Sequence, residues 1–479
     1  TVDLGNYHQC LQINATLHNT DIEGKYCMIR FSVLRLAVCI PKPCTTKEAI
    51  SGLLFNVTSL GFQYEDDFCR LPNDKPWVPA DFTAFNTKRL LTFKSLPGSL
   101  ECLDGVRALA MLWVLLGHMT YCGLWLTSGH ITVDTFFMLS GLLVVYTSAG
   151  KLTSVGLLKN IHIFYLNRLL RMFPILATTA LLEASVFNRI SDGPVWDTIV
   201  SQTHRCRTFW WSTLLHVQNY LNSENCIGAT WYLAIDVQLH LLSPLILVWV
   251  LSGNKRIAWS ALTAGVVLSL TAATLVIIID LSSIYIKESD EMMYYMVYYY
   301  MNTLTRAPPF LVGMVFGYLL HTYRGKPVNI STILNLTLWA LSLSLLLVVC
   351  YCTHPTMQPG WDNQTVDSFI NSFMRPAWAL GLGWVIFACV HGYGGPINWF
   401  LTLNVWKLPA RLSYAMYILH FSLMMIFNSS NTIFLFYGYF VLTFIVAIVL
   451  TVLIDMPFSI LFKLLLDKIK GMNKKIIHS

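Results

Sequence analysis

Asp104-Gly-Val-Arg107-Ala-Leu-Ala-Met-Leu-Trp-Val-Leu-Leu-Gly117-His118 is an apolar run with ionisable residues at its two ends and none between Arg107 and His118. Taken as residues 105–125, it has the length needed to cross a hydrocarbon core. Nine more runs of that kind follow, at 130–149, 172–190, 230–252, 257–281, 303–322, 332–351, 373–392, 412–428 and 434–456. Composition points the same way. Of 479 residues only 12% are charged and 55% are hydrophobic, whereas soluble proteins carry about 25% charge. The length would suggest roughly three soluble domains, and too little charge remains to cover them. Disordered and collagen-like chains are excluded by the same numbers. The net charge of +7 is spread between the apolar runs as membrane-flanking charge, so no nucleic-acid partner is expected. The expected fold is an all-α polytopic membrane protein with about ten transmembrane helices and a small disulfide-rich domain in front.

That front domain is expected over residues 1–80. Cys10, Cys27, Cys39, Cys44 and Cys69 fall there with two sequons, Asn14-Ala-Thr and Asn56-Val-Thr. Cysteine density with glycosylation sites reads as a disulfide-stapled module in an oxidising compartment. The odd count leaves one cysteine to pair elsewhere, and the connectivity stays open. No paired C-x-x-C spacing supports a zinc module, so no metal is expected. The chain opens on Thr1, far ahead of its first apolar run, and is expected to be a mature or trimmed one.

Charge orients the spans. A basic tail, 459–479, with Lys463, Lys468, Lys470, Lys474 and Lys475, is expected in the cytosol. Stepping back from it puts Lys407/Arg411, Arg324/Lys326, Lys255/Arg256 and Lys151/Lys159/Arg168/Arg171 on the same side. The opposite side receives Glu288, Asp290 and Glu291, the sequon Asn363-Gln-Thr, and a loop, 191–229, in which a Cys206–Cys226 disulfide is expected. One conflict remains. Residues 81–104 form a linker whose Lys88, Arg89 and Lys94 step into the cytosol, yet residues 1–70 look extracytoplasmic. A spanning helix is therefore expected to be missing near Pro79–Phe82. The transmembrane domain proper is expected over 105–458.

Ionisable groups inside spans are costly and usually face a polar cavity. Eleven residues separate Arg107 from His118, about 16 Å along a helix, so His118 lies deep where Arg107 lies at the edge. Histidine there can serve as a base, a proton relay or a packing group. Arg168 and Arg171 are three apart and share a helical face, either as a phosphate-binding fork or as membrane anchors. Asp134, the cluster Asp236, Gln238 and His240, then Arg306, and finally Tyr414, Tyr417 and His420 are the further polar residues expected to outline a cavity.

In order along residues 100–458, Asp104-Gly-x-Arg107 with His118, Val133-Asp134-x-Phe-Phe-x-x-Ser140-Gly141, Arg168-x-x-Arg171-x-x-Pro174, Trp231-Tyr232-Leu and Ser413-Tyr414-x-x-Tyr417-x-x-His420 resemble the integral-membrane acyltransferase type 3 family. The front segment, Gly5-Asn6-Tyr7-x-x-Cys10, Gly24-Lys-Tyr26-Cys27 and Cys39-Ile-Pro41-x-x-Cys44, resembles the nose-resistant-to-fluoxetine N-terminal domain of its animal members. Relatives usually carry a spanning helix between the two parts. The resemblance implies acyl-CoA as co-substrate, with Arg107, Arg168 and Arg171 on its phosphates, His118 as general base, and Asp236 beside it. Relatives often have glutamate at the position of Asp236. It further implies a lipid, sterol, glycan or small hydroxylated acceptor, membrane lipids as neighbours, and a multi-pass location in the endoplasmic reticulum or plasma membrane with the front domain luminal or extracellular. Two other functions fit the scaffold: a lipid or xenobiotic transporter without chemistry, and a receptor-like binder using the stapled domain.

Overall fold

The computed structural model describes residues 2–3, 9–10, 12–17, 20–31, 34–46, 65–70, 99–119, 128–190, 196–221, 225–280, 294–357, 361, 363–429 and 435–462. The chain divides into two compact units, Thr1–Asp81 and Phe82–Ser479.

The first unit is built on a sheet, which the cysteine pattern did not reveal. Its strands are β1 (Val2–Asp3), β2 (Asn14–Leu17), β3 (Thr20–Phe31), β4 (Leu34–Pro41) and β5 (Glu65–Arg70). β3 is the hub, pairing antiparallel with β2, β4 and β5, while β1 adds parallel to β4. Disulfides Cys10–Cys39 and Cys27–Cys69 staple it, and the Cys27–Cys69 bridge ties residues directly opposite on β3 and β5. Cys44 was expected to join a disulfide. It has no such partner among the described residues. Its carbonyl instead accepts from Lys25 Nζ at 2.6 Å, holding the turn after β4 against β3. Asn56 and the Pro79–Phe82 junction lie outside the described residues.

The second unit is helical. Its helices are α1 (Cys102–Met119), α2 (Thr132–Ser148), α3 (Ser154–Lys159), α4 (Ile161–Ser185), α5 (Asp197–Leu214), α6 (Trp231–Leu242), α7 (Pro244–Val250), α8 (Lys255–Asp280), α9 (Thr303–Thr322), α10 (Thr332–Tyr351), α11 (Gln364–Val390), α12 (Gly395–Leu401), α13 (Lys407–Ser429) and α14 (Leu435–Leu450). Each of the ten apolar runs overlaps at least one of these helices. Seven of these helices are long and apolar enough to cross a membrane, or eight if the pair bent by 44° around Ser243 is one span. The bend falls where Pro244 opens α7, since proline cannot donate to the preceding turn. The two runs outside that set, 105–125 and 412–428, are α1 and α13. They carry Asp104, Arg107 and His118 on one and Lys407, Arg411 and His420 on the other. These two helices pack against each other. α10 shows the opposite extreme, exposing Ile333, Leu336, Leu341, Leu347 and Val348, a surface stable only against hydrocarbon.

Helices α2 and α9 form the tightest contact. A Cβ at Gly313 would lie 2.0 Å from the Met138 carbonyl oxygen, one at Gly317 2.3 Å from that of Leu142, and one at Gly141 1.9 Å from that of Phe310. Small residues four apart let backbones approach this closely. Because Met138 meets Gly313 and Leu142 meets Gly317, the two helices run parallel, as second and sixth members of an alternating set do. The same register brings Asp134 to Arg306. Arg306 Nη1 donates to Asp134 Oδ2 at 2.7 Å, and Arg375 Nε lies 3.9 Å from the same oxygen, with all three side chains fully buried. The guanidinium faces are covered by aromatic rings: Trp231 and Tyr300 over Arg306, Tyr299 over Arg375. A buried pair of this kind resists removal of one partner by about 3–5 kcal/mol.

The 191–229 segment, expected as a loop, contains α5. Ile199, Thr203, Cys206 and Thr213 are buried along one face of it, the spacing of an amphipathic helix, while its other face is too polar to span. The expected Cys206–Cys226 disulfide is present and closes this segment.

Candidate functional site

Two cavities lie along α1. The first, of about 200 Å³, sits by its N-terminal end and takes Arg107 from α1, Ser140 from α2, Arg168 and Arg171 from α4, Tyr232 and Asp236 from α6, Tyr414 and Tyr417 from α13, and Asp455. Asp455 is delivered by a π-helical turn, Thr451–Asp455, a distortion that often marks functional positions. Arg168 is engaged: its Nη2 pairs closely with Asp236 Oδ2 and also donates to Ser140 Oγ at 2.8 Å. Arg107 and Arg171 form no ion pair or hydrogen bond with a described residue. Three guanidiniums against two carboxylates, Asp236 and Asp455, leave a formal excess of one positive charge. Such a pocket suits a polyanion with oxygen forks.

The second cavity, of about 530 Å³, sits by the other end of α1. His118 lines it with His130, Val133, Asn225, Trp231, Tyr300, Tyr417 and Phe421 among others. Here too a π-helical turn, Met296–Tyr300, supplies wall residues. His118 is exposed toward it. Its Nδ1 lies 2.8 Å from the Val114 carbonyl oxygen, which can only accept. In the neutral ring Nδ1 therefore carries the proton and Nε2 the lone pair. The His420 ring stands edge-on at 5.0 Å, its own Nδ1 2.6 Å from the Tyr417 carbonyl oxygen.

Tyr417 lines both cavities. Its hydroxyl donates to the Ala229 carbonyl at 2.9 Å and its ring meets Tyr232 edge-on at 5.1 Å. The arginine-lined space and the histidine-lined space thus share one aromatic wall.

Of the residues singled out from sequence, Arg107, Arg168, Arg171, Asp236, Tyr414 and Tyr417 come together in the first cavity, and His118 and Tyr417 in the second. Asp236 does not contact His118; the carboxylate is held by Arg168. Asp134, Gln238, His240 and Arg306 line neither cavity. Asp134 and Arg306 neutralise each other in the packed core. Gln238 Nε2 donates to Asn219 Oδ1 at 2.9 Å and to the His216 carbonyl at 2.8 Å, knitting α6 to the 216–220 turn. His240 stacks on Phe164, ring centroids 4.4 Å apart. Sequence reasoning passed over Tyr232, Arg375 and Glu183. The last two are lone charges inside apolar runs, the signal that exposed Asp134 and Asp236. Buried Glu183 accepts from Ser422 Oγ and, at 3.3 Å, from Gln202 Nε2. Glu183, Cys206 and Cys226 form the one group of metal-capable side chains found among the described residues, but its sulfurs are joined to each other.

Outside the spans, His216 holds a left-handed backbone, φ 58°, and burial pushes its imidazole down to about 4.

A family model described as an acyltransferase domain, of type 3, matches residues 100–456. Nose resistant to fluoxetine protein 6 of Caenorhabditis elegans is 28% identical over 287 residues, 56% of this chain and 34% of that protein. Regulator of hypoxia-inducible factor 1 of the same organism is 24% identical over 294 residues, 55% of this chain and 54% of its own length. The matched stretch therefore spans about a third and about half of these relatives. No solved structure matches the chain.

Proposed function

The chain belongs to the acyltransferase type 3 family, and from that premise we propose that it transfers an acyl group from coenzyme A to an acceptor hydroxyl within the membrane. The observation that carries this reading is the pair of cavities meeting at Tyr417, one with unengaged guanidiniums and the other with an imidazole whose Nε2 lone pair is free. In this reading Arg107 and Arg171 fork the phosphates of coenzyme A. Arg168, neutralised by Asp236, shapes the pocket and orients Ser140. The thioester arm reaches past Tyr417 over the roughly 16 Å of helical rise that separate Arg107 from His118 along α1. His118 Nε2 takes the proton of the acceptor hydroxyl, the oxygen attacks the thioester carbonyl, the C–S bond breaks, and the proton returns to the departing coenzyme A sulfur. Nδ1, held on the Val114 carbonyl, keeps the ring oriented and shares the transient positive charge.

Replacing His118 by glutamine tests this. Losing a general base costs roughly 10²–10⁴-fold in rate, and His118 is exposed, so folded yield should stay near wild type. Full acyl transfer by the variant refutes the assignment. Uptake of a lipid or drug by the wild type without any consumption of acyl-CoA would hand the scaffold to transport.

A further inference from the structure

Resting on the acyl-transfer reading, we infer that the acceptor is an apolar alcohol with one or two hydroxyls, seated in the larger cavity with its reacting oxygen at His118 Nε2. The walls argue for it. Val114, Val133, Trp231, Met296, Met301 and Phe421 supply apolar surface, and no aspartate, glutamate, lysine or arginine is among the described residues that line it. Arg306 lies behind two of these walls. Its guanidinium carbon is 5.1 Å from the Trp231 ring and 4.5 Å from the Tyr300 ring, and it is paired with Asp134. That charge braces the two aromatic walls without entering the space they enclose.

The polar complement is small. Among the described lining residues it comprises His118, His130, Asn225, the Trp231 indole and the hydroxyls of Tyr300 and Tyr417, the last already donated to the Ala229 carbonyl, and the Asn225 side-chain oxygen is buried with no hydrogen-bond partner among the described residues. That oxygen accepts one hydroxyl while His118 Nε2 accepts the other. Each further hydroxyl taken from water without a partner costs about 1–3 kcal/mol. A sugar with four or five hydroxyls asks for more partners than this apolar wall supplies, whereas an alcohol with one or two is satisfied by His118 and Asn225. The volume, about 530 Å³, falls in the range of pockets that enclose drug-sized apolar ligands, which suits a fused-ring alcohol or a stretch of alkyl chain.

The test uses the full chain in lipid nanodiscs and a long-chain primary alcohol carrying a diazirine. After irradiation, label is expected on peptides containing Val133, Trp231 or Met296–Met301. Excess unlabelled alcohol should suppress it at least tenfold, and glucose or N-acetylglucosamine at equal concentration should not. Val133→Trp fills the cavity and should remove the label; the wild-type competition stands independently of whether that variant folds. Label confined to the outward surface of α10, or equal competition by the sugars, overturns the inference. Turnover of acetyl-CoA or palmitoyl-CoA separates the two layers. Consumption with the sugars and not with the alcohol removes this acceptor class and leaves acyl transfer standing. Labelling of the cavity with no acyl-CoA consumption for any acceptor removes acyl transfer, and with it the acceptor role, while leaving a binding site for apolar alcohols.

Discussion

Arg168 and Arg171 lie three residues apart on one helix and line one cavity, yet their loss should have opposite consequences. Arg171 has no bonded partner among the described residues; Arg168 and Arg107 beside it repel its charge while Asp455 attracts it. Arg171→Gln therefore removes a cation that the empty protein does not use. The folded state should change little, because the repulsion relieved offsets the attraction to Asp455 that is lost. Binding of acyl-CoA is another matter. A hydrogen bond to a charged group contributes about 1.5–3 kcal/mol, which at 1.4 kcal/mol per decade is roughly 10- to 150-fold in affinity. Arg168→Gln acts first on the fold. It strips the partner from Asp236, whose side chain is 1% exposed, and an uncompensated buried charge costs about 3–5 kcal/mol out of a total stability of about 5–15 kcal/mol. Adding Asp236→Asn to that variant should restore much of the loss. Thermal unfolding in detergent and equilibrium binding of radiolabelled acetyl-CoA, measured on the same preparations, separate the two effects. Raised salt should weaken wild-type binding as well, because accessible phosphate contacts are screened over about 10 Å at 0.1 M. Wild-type affinity in Arg171→Gln would reduce that arginine to a membrane anchor. A melting point as low as that of Arg168→Gln would show that the pairing pattern described here is wrong.

Gly313→Leu should abolish folded yield, because its Cβ would stand 2.0 Å from a backbone oxygen that cannot swing aside, whereas Gly438→Leu, with nothing within 4 Å, should fold normally; equal yields by size-exclusion chromatography would contradict the α2–α9 packing. Acid should destabilise the protein through His216. Its folded value, about 4, lies below the ordinary unfolded value of about 6.5, so the unfolded chain binds more protons and stability falls as pH drops through the window between the two. At pH 5 the loss is about 2 kcal/mol, and His216→Gln should remove that part of the pH dependence; an unchanged slope in thermal melts from pH 7 to 5 would refute it.

What could be read from the sequence and what could not follows the physics of each element. Hydrocarbon thickness imposes a length on every span, so a helical membrane fold was visible without any structure, although seven or eight of the ten expected runs are long, apolar helices among the described residues. The sheet of the front domain was not, because disulfide spacing reports staples and is silent about strands. Even so, β3 alternates Ile22, Gly24 and Tyr26 with Asp21, Glu23 and Lys25, a period-two signal. α5 escaped for a different reason. Its buried positions recur at helical spacing, but a search for long apolar runs discards a helix whose other face is His204, Arg205 and Arg207.

The site was half legible for a reason specific to membranes. A charge within an apolar run announces its own cost, which is why Arg107, His118, Asp134, Arg168 and Asp236 could be picked out. The sequence does not announce which charge relieves which. Asp236 sits by composition in the company of Gln238 and His240, yet its partner is Arg168, 68 positions away; Asp134 is matched to Arg306 across 172. Those pairings decide which arginines remain available. Two pairs close on themselves, and the unengaged guanidiniums of Arg107 and Arg171 are left facing one cavity. Interrupted apolarity was the better guide to function than apolarity. α1 and α13 carry ionisable and polar residues within their apolar runs, and between them they supply Arg107, His118, Tyr414, Tyr417 and His420. Local rules tend to fail where a chain gives up stability for chemistry, and here that failure falls on the two adjacent helices that bring both cavities to Tyr417.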